Sequence, residues 1–182
     1  LESNAALSRF SESLLPFSIF CHGQQDLLDG YKHLSKLVSS DPDFQSINPE
    51  FIIPFANKVI LNYLSSVAMF NDHSKTYLAA QFGRKSEQFC YFKTQVEGKY
   101  TSNNEYRLLL DLRSYGLHHT FPVHTVEVTQ TRRDNEEFDT VIRILLRRDK
   151  LLEKGQIPTK TKSYIRTLPE VFDFEPYIPT GK

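Results

Sequence analysis

The apolar residues of this chain change their period at Pro122, and that switch constrains the fold more than any single motif. Before it they recur every three or four residues, the signature of one helix face; beyond it they alternate, the signature of one strand face. The expected fold is therefore mainly α: an antiparallel helical bundle with an appended β-hairpin. An extended, proline-rich C-terminal tail follows. With 182 residues the chain holds one main core.

Within the helical part, Leu7, Phe10 and Leu14 follow Ser3 and Asn4 at helical spacing, and Pro16 ends what reads as a short helix or docking arm. Leu27, Tyr31, Leu34 and Val38 predict a second helix, stopped by Ser39-Ser40-Asp41-Pro42. Asn48-Pro49-Glu50 is a helix-start signature, with Pro54 as the other candidate for the first turn. Val59, Ile60, Tyr63, Leu64, Val67 and Phe70 then keep one face of a third helix dry. Asn71-Asp72-His73-Ser74 reads as the turn into a fourth helix, which carries Leu78, Phe82, Phe89, Phe92 and Val96 and closes at Gly98 as a left-handed cap. Ser102 and Glu105 match a capping box. A fifth, central helix should start near Asn103 and carry Leu108, Leu109, Leu110, Leu112 and Leu117.

Past Pro122, Val126 and Val128 flank Glu127, and Phe138, Thr140, Ile142, Ile144 and Leu146 alternate with their neighbours across the polar bend Arg132-Arg133-Asp134-Asn135. This is a hairpin pattern. From Gly155, the prolines at 158, 169, 176 and 179 forbid long helices, so the aromatic residues among them belong to an extended tail on the body or on a partner. The expected organisation is a single unit in four segments: N-terminal helices 1–48, bundle core 49–120, hairpin 121–154 and tail 155–182.

Composition narrows the function. The 22 basic and 22 acidic residues balance, so any nucleic-acid footprint must be a local patch. Cys21 and Cys90 are too few for a disulfide framework and read as core or half-buried thiols of a reducing compartment. No apolar run reads as membrane-spanning, and Leu1 to Phe10 lack the blocks of a secretion signal. A cytoplasmic protein without membrane contact is expected. The absence of an initial Met and of a clear terminal element at Gly181-Lys182 suggests a piece of a longer protein.

Chemistry concentrates in Leu112-Arg113-Ser114-Tyr115-Gly116-Leu117-His118-His119. A permanently charged guanidinium can clamp a phosphate, and imidazoles move protons near neutral pH. On an ideal helix, however, Arg113 and His118 are five positions and about 140° apart, so they do not share a surface. Arg107, Asp111, Ser114 and His118 form one polar stripe, while Arg113 leaves the apolar arc of Tyr106, Leu109, Leu110 and Leu117. Either Gly116 ends the helix early and swings the histidines round, or two copies face each other, one giving arginine and the other histidine. The paired arrangement is the one expected.

Arg113-Ser114-x-x-x-His118, late in an amphipathic helix of a bundle, resembles the arginine, polar residue, then histidine motif of the HEPN superfamily (higher eukaryotes and prokaryotes nucleotide-binding domains). Phe121-Pro122-Val123 and Arg148-Asp149-Lys150-Leu151-Leu152 also resemble a group of uncharacterised bacterial proteins on that pattern. The resemblance spans roughly Asn48 to His119. It implies a metal-independent endoribonuclease, often dimeric and often a toxin or antiviral effector with an antitoxin partner. Arg113 would bind the scissile phosphate and His118 would act as general base or acid for attack by the 2′-hydroxyl. Ser114 stands where the family usually has asparagine, aspartate or histidine, and supplies a hydroxyl in place of a carboxylate. His119 is the alternative to His118.

Arg132, Arg133, Arg143, Arg147, Arg148 and Lys150 gather positive charge on the hairpin, suited to an RNA backbone and equally to keeping strand edges from pairing. His118, His119 and His124 with Asp111 or Glu127 lack metal-ligand spacing, so neither a metal nor another cofactor is expected. His22, His33 and His73 stand alone. The second reading is a non-catalytic module that holds a protein or nucleotide, using tail aromatics Tyr164, Phe172, Phe174 and Tyr177.

Overall fold

The computed structural model describes residues 2–39, 49–132, 138–153 and 157–178, and of 2–13, 49, 132 and 138 the backbone alone. Four helices make the body: α1 (Glu2–Ser39), α2 (Pro49–Phe82), α3 (Glu87–Ser102) and α4 (Asn104–His118). Strands β1 (Thr125–Arg132) and β2 (Phe138–Arg147) form the hairpin. Helices α5 (Arg148–Glu153) and α6 (Thr159–Ile165), strand β3 (Val171–Asp173) and a 3-10 turn at Glu175–Tyr177 complete the chain. The fold is mainly helical with a three-stranded antiparallel sheet.

The helix boundaries differ from those expected, each for a local reason. Pro16 does not end a helix: α1 runs through it, and burial of the proline against the body compensates for the backbone bond its nitrogen cannot donate. The stop signal at Asp41-Pro42 lies outside the described residues. Helix α2 starts at Pro49, in the first-turn position where a missing N–H costs nothing, and continues past Pro54. It also continues through Asn71–Ser74, because Asn71 is satisfied without a turn while Asp72 and His73 face solvent. Asn71 Nδ2 donates to Tyr106 Oη at 2.6 Å, and Thr76 Oγ1 donates back to the Asp72 carbonyl at 2.9 Å.

The break comes at Gly83 (φ 85°), whose N–H closes the last turn on Ala79 O. Ser86 then caps α3 by accepting from Phe89 N. Gly98 lies inside α3 and is no cap. Asn103 performs both capping roles, donating its backbone N–H to Lys99 O and accepting from Tyr106 N at 2.7 Å. Ser102 instead bonds back to Gly98 O, so the N-cap lies one residue later than expected and no capping box forms.

Helices α1 and α2 approach closely through glycines. A Cβ at Gly23 would lie 2.2 Å from Ser66 Oγ, and one at Gly30 would lie 2.6 Å from Val59 Cγ1. The sheet closes the other side of this pair. Register sets Val126 opposite Ile144 and Val128 opposite Ile142, so the inward residues Ile142, Ile144 and Leu146 are buried. Ser35 Oγ reaches the Thr140 carbonyl at 3.2 Å and holds α1 to β2. The bend from Arg133 to Asn135 lies outside the described residues.

The tail is not an appendage. Val171–Asp173 adds a third strand to Leu145–Arg147, and Phe172, Phe174, Ile165 and Ile178 are buried in the common core. Phe174 meets the ring of Tyr63 edge-on, with centroids 6.4 Å apart. Two further expectations need correction. Cys21 and Cys90 are both exposed. From Glu50 to Phe82, α2 is long and apolar enough to cross a bilayer by length and composition, yet it is the central helix here, with Ile60, Tyr63 and Leu64 at 0 % exposure.

Gly23→Ala should cost about 1–3 kcal/mol by overpacking, although alanine alone favours a helix by about 1 kcal/mol. Urea denaturation of Gly23→Ala with and without Ser66→Gly checks this. The second change should recover part of the loss, because it vacates the space the new methyl needs.

Candidate functional site

Helix α4 carries the sequence motif, and its seating begins with a buried cation. Arg107 is 2 % exposed. Its Nη1 donates to the carbonyls of Tyr100 and Thr101 at 3.1 and 3.2 Å, the end of α3 where backbone acceptors lack helical partners. Its Nη2 donates to Asn104 Oδ1, and its Nε donates to Thr161 Oγ1 at 3.2 Å. Thr161 in turn donates to Asp111 Oδ2 at 2.5 Å, and Tyr100 Oη donates to Asp111 Oδ1 at 3.0 Å. One hydroxyl from the tail thus bridges a buried guanidinium and a buried carboxylate. Burial, and then the Asp111 contact, pushes the Tyr100 phenol above its ordinary pKa.

Half of the expected polar stripe is therefore structural. Arg107 and Asp111 are buried, while Ser114 and His118 are exposed at its far end. Both oxygens of Asp111 are taken by Tyr100 and Thr161, so Asp111 is not the partner of Arg113. Arg113 is half-buried on the opposite border, and its Nε is buried without a hydrogen-bond partner.

Gly116 does not end the helix. It lets α4 press on α2, since a Cβ there would lie 2.3 Å from Leu61 Cδ2. Helix α4 stays regular to His118, and His119 N closes the last turn on Tyr115 O at 2.9 Å. The offset of about 140° between Arg113 and His118 thus persists, and an early helix end does not bring them together. His119 is half-buried, its ring 5.9 Å from Tyr115 and 6.4 Å from His118. Leu117 and Phe121 beside them are exposed by 52 and 58 %.

The segment after the histidines is fixed by Asn57. Its Nδ2 donates to Val123 O at 3.1 Å and its Oδ1 accepts from Val123 N at 2.9 Å. That amide pair fastens the 121–123 link to α2. Tyr115 Oη donates to Lys150 O at 3.3 Å, so α5 abuts the histidine end of α4. His124 Nδ1 accepts from Arg147 N at 3.5 Å, and burial, then the Arg147 charge, lowers its pKa.

The basic residues of the hairpin are mostly paired at home. Arg147 forks onto Asp149 at 3.1 and 2.7 Å, Arg143 lies 3.6 Å from Glu127, and Lys150 lies 3.1 Å from Glu153. Arg148 Nη1 donates to Leu168 O. These pairs neutralise much of the expected patch, although exposed pairs are worth little and exchange partners readily. The side chain of Arg132 and all of Arg133 lie outside the described residues. Among the described residues no group of three or more His, Cys, Asp or Glu could hold a metal ion.

Sequence reasoning missed the Arg107–Thr161–Asp111 bridge and the Asn57–Val123 amide pair. Neither has a local signal, because their partners are 50 or more residues apart. In the comparisons with known proteins, no family model, no curated protein and no solved structure matches this chain.

Thr161→Val keeps the side-chain shape but removes both bridging bonds, and should destabilise the protein by about 1–3 kcal/mol in denaturant titration. For His124, a depressed folded-state pKa means the unfolded chain binds more protons below the ordinary value of about 6.5. Its stability contribution is therefore complete above that pH and lost as pH falls through the lowered folded pKa. Melting temperatures from pH 7.5 to 5 should fall less steeply in His124→Gln than in wild type.

Proposed function

We propose that this protein is a metal-independent endoribonuclease of the toxin or phage-defence type that the HEPN resemblance implies, built on a HEPN-like bundle and acting as a homodimer. The observation that carries this reading is Arg113: a half-buried guanidinium whose Nε has no protein partner. Its outer nitrogens keep a permanent positive charge, and an anion brought to them is held by charge-assisted hydrogen bonds. An RNA phosphate fits that requirement, and Arg113 would neutralise charge as it builds on the phosphate.

Within one chain the histidines lie on another side of α4, so the site is completed across a two-fold axis, with the histidine of the partner meeting Arg113. Exposed Leu117 and Phe121, beside the motif, suit such a contact. His118 or His119 then takes the proton of the 2′-hydroxyl as its oxygen bonds to phosphorus; the bond from phosphorus to the 5′-oxygen breaks, and that oxygen takes a proton from the other histidine or from water, giving a cyclic phosphate and a free 5′-hydroxyl. Ser114, exposed, orients the imidazole or touches the phosphate. Arg132, Arg133, Arg143, Arg147, Arg148 and Lys150 supply the backbone contacts once RNA displaces their local partners.

The alternative, a non-catalytic module for protein or nucleotide, is favoured by the carboxylate pairing of Arg143, Arg147 and Lys150. Its use of the tail is weakened, because Phe172 and Phe174 are buried in the chain's own core.

Purified protein should cut single-stranded RNA in excess chelator, and Arg113→Ala and His118→Ala should each reduce cleavage by at least about a hundredfold. Mixing the two inactive proteins decides the geometry. Half of the dimers would then carry one intact composite site, restoring about a quarter of wild-type activity. Cleavage in neither mixture nor wild type would end the enzymatic reading.

A further inference from the structure

We propose that the cavity between α1, α2, α3 and α4 binds a small amphipathic monoanion, an aliphatic or aromatic acid with an apolar body. The cavity measures about 870 Å³. That lies within the range of about 300–1,000 Å³ usual for small-molecule sites. Its walls are apolar, made chiefly by Phe17, Phe20, Val67, Phe70 and Leu109.

The opening arises because α3 contributes no fully buried residue. Its Phe92 reaches Phe70 edge-on, with centroids 6.4 Å apart, but beside the cavity α3 offers Thr94, Gln95, Val96, Gly98, Lys99 and Ser102, none of them a large apolar side chain that would fill the gap. Apolar walls left wet are unfavourable by roughly 25 cal/mol per Å², so an apolar occupant gains what the protein has not used.

One charged group defines the head group. Lys99 is at the cavity, holds its ammonium 5.4 Å from the ring centroid of Tyr106, and pairs with no carboxylate among the described residues. The lining contains no acidic side chain. A single cation over an apolar chamber complements an acid and disfavours a base.

Isothermal titration with decanoate, and with 1-decanol as its uncharged counterpart, tests the assignment on the whole chain. Decanoate should bind one per chain with a sub-millimolar Kd. Lys99→Met keeps the stem and removes the charge, so it should weaken decanoate by about tenfold or more and leave decanol unchanged. Gly98→Leu blocks the opening without a clash, because a Cβ at Gly98 meets nothing within 4 Å. It should abolish both ligands while the melting temperature holds or rises. No binding by wild type at millimolar decanoate, or unchanged binding by Gly98→Leu, overturns the site; unchanged decanoate affinity in Lys99→Met overturns the acid. Self-association that Gly98→Leu removes, in place of decanoate binding, would give the groove to a second copy.

Discussion

The seat of α4 depends on one buried guanidinium. Arg107 can be buried only if its donors find acceptors, and they do so in three directions: the C-terminal carbonyls of α3, Asn104 on its own first turn, and Thr161 on α6. A neutral side chain would not demand all three. Buried charge is weak evidence for net stability, because desolvation offsets most of the Coulombic gain. Its value here is geometric. Leaving any of these acceptors out of place strands a charge in the interior, so α3, α4 and α6 hold one relative arrangement. The tail, which approaches α4 only after the hairpin, is thereby locked to the helix that carries Arg113 and the histidines.

The same arrangement divides α4 into two flanks with different fates. The flank of Arg107 and Asp111 is covered by α3 and the tail, and emerges only at Ser114 and His118. The other flank runs from Tyr106 past Leu109 and Leu110 to Arg113 and Leu117, and less of it is covered: Tyr106 and Leu109 line the cavity, Arg113 is half-buried, and Leu117 is exposed. Close approach at Gly116 seats α4 on α2, and the helix runs unbroken to His118, so its two flanks stay apart. The angular offset between Arg113 and His118 is thus set by the helical backbone, not by one side-chain rotamer.

How much of this was legible in the sequence follows from the range of each interaction. Helix α4, the hairpin register and the inward strand residues have local periods, and Ile142, Ile144 and Leu146 lie where alternation puts them. Boundaries failed where a polar or cyclic residue found a distant partner. Asn71 looks like a turn residue until Tyr106 accepts its amide, and Pro16 looks like a stop until burial compensates for the lost bond. The reverse error befell Gly83 and Ser86, a cap pair hidden in a basic stretch. The third strand was illegible for another reason. Three residues between prolines have no measurable period, and β2 alone tells Val171–Asp173 to be extended. Arg113, Ser114, His118 and His119 could be proposed as a group because they lie on α4 and its C-cap; the amide of Asn57 that fixes the following link could not.

The proposed pairing of two copies can be weighed against the energetics of Arg113 itself. A guanidinium with a buried, unpartnered Nε is a standing cost of about 1–3 kcal/mol or more, since its desolvation is not repaid by a bond. Replacement by leucine or methionine would remove that cost and suit the apolar arc in which the residue stands. A positive charge in that place keeps its outer nitrogens toward water, and in the proposed reading an anion takes the place of that water. Leu117, one turn further on, then has a matching logic: a large apolar side chain exposed beside the charge excludes water once a second surface covers it. Desolvation of the pocket rim by a partner protomer would strengthen the attraction between Arg113 and an anion, because the same charges interact more strongly as the effective dielectric falls. Dimerisation and anion binding would therefore favour each other.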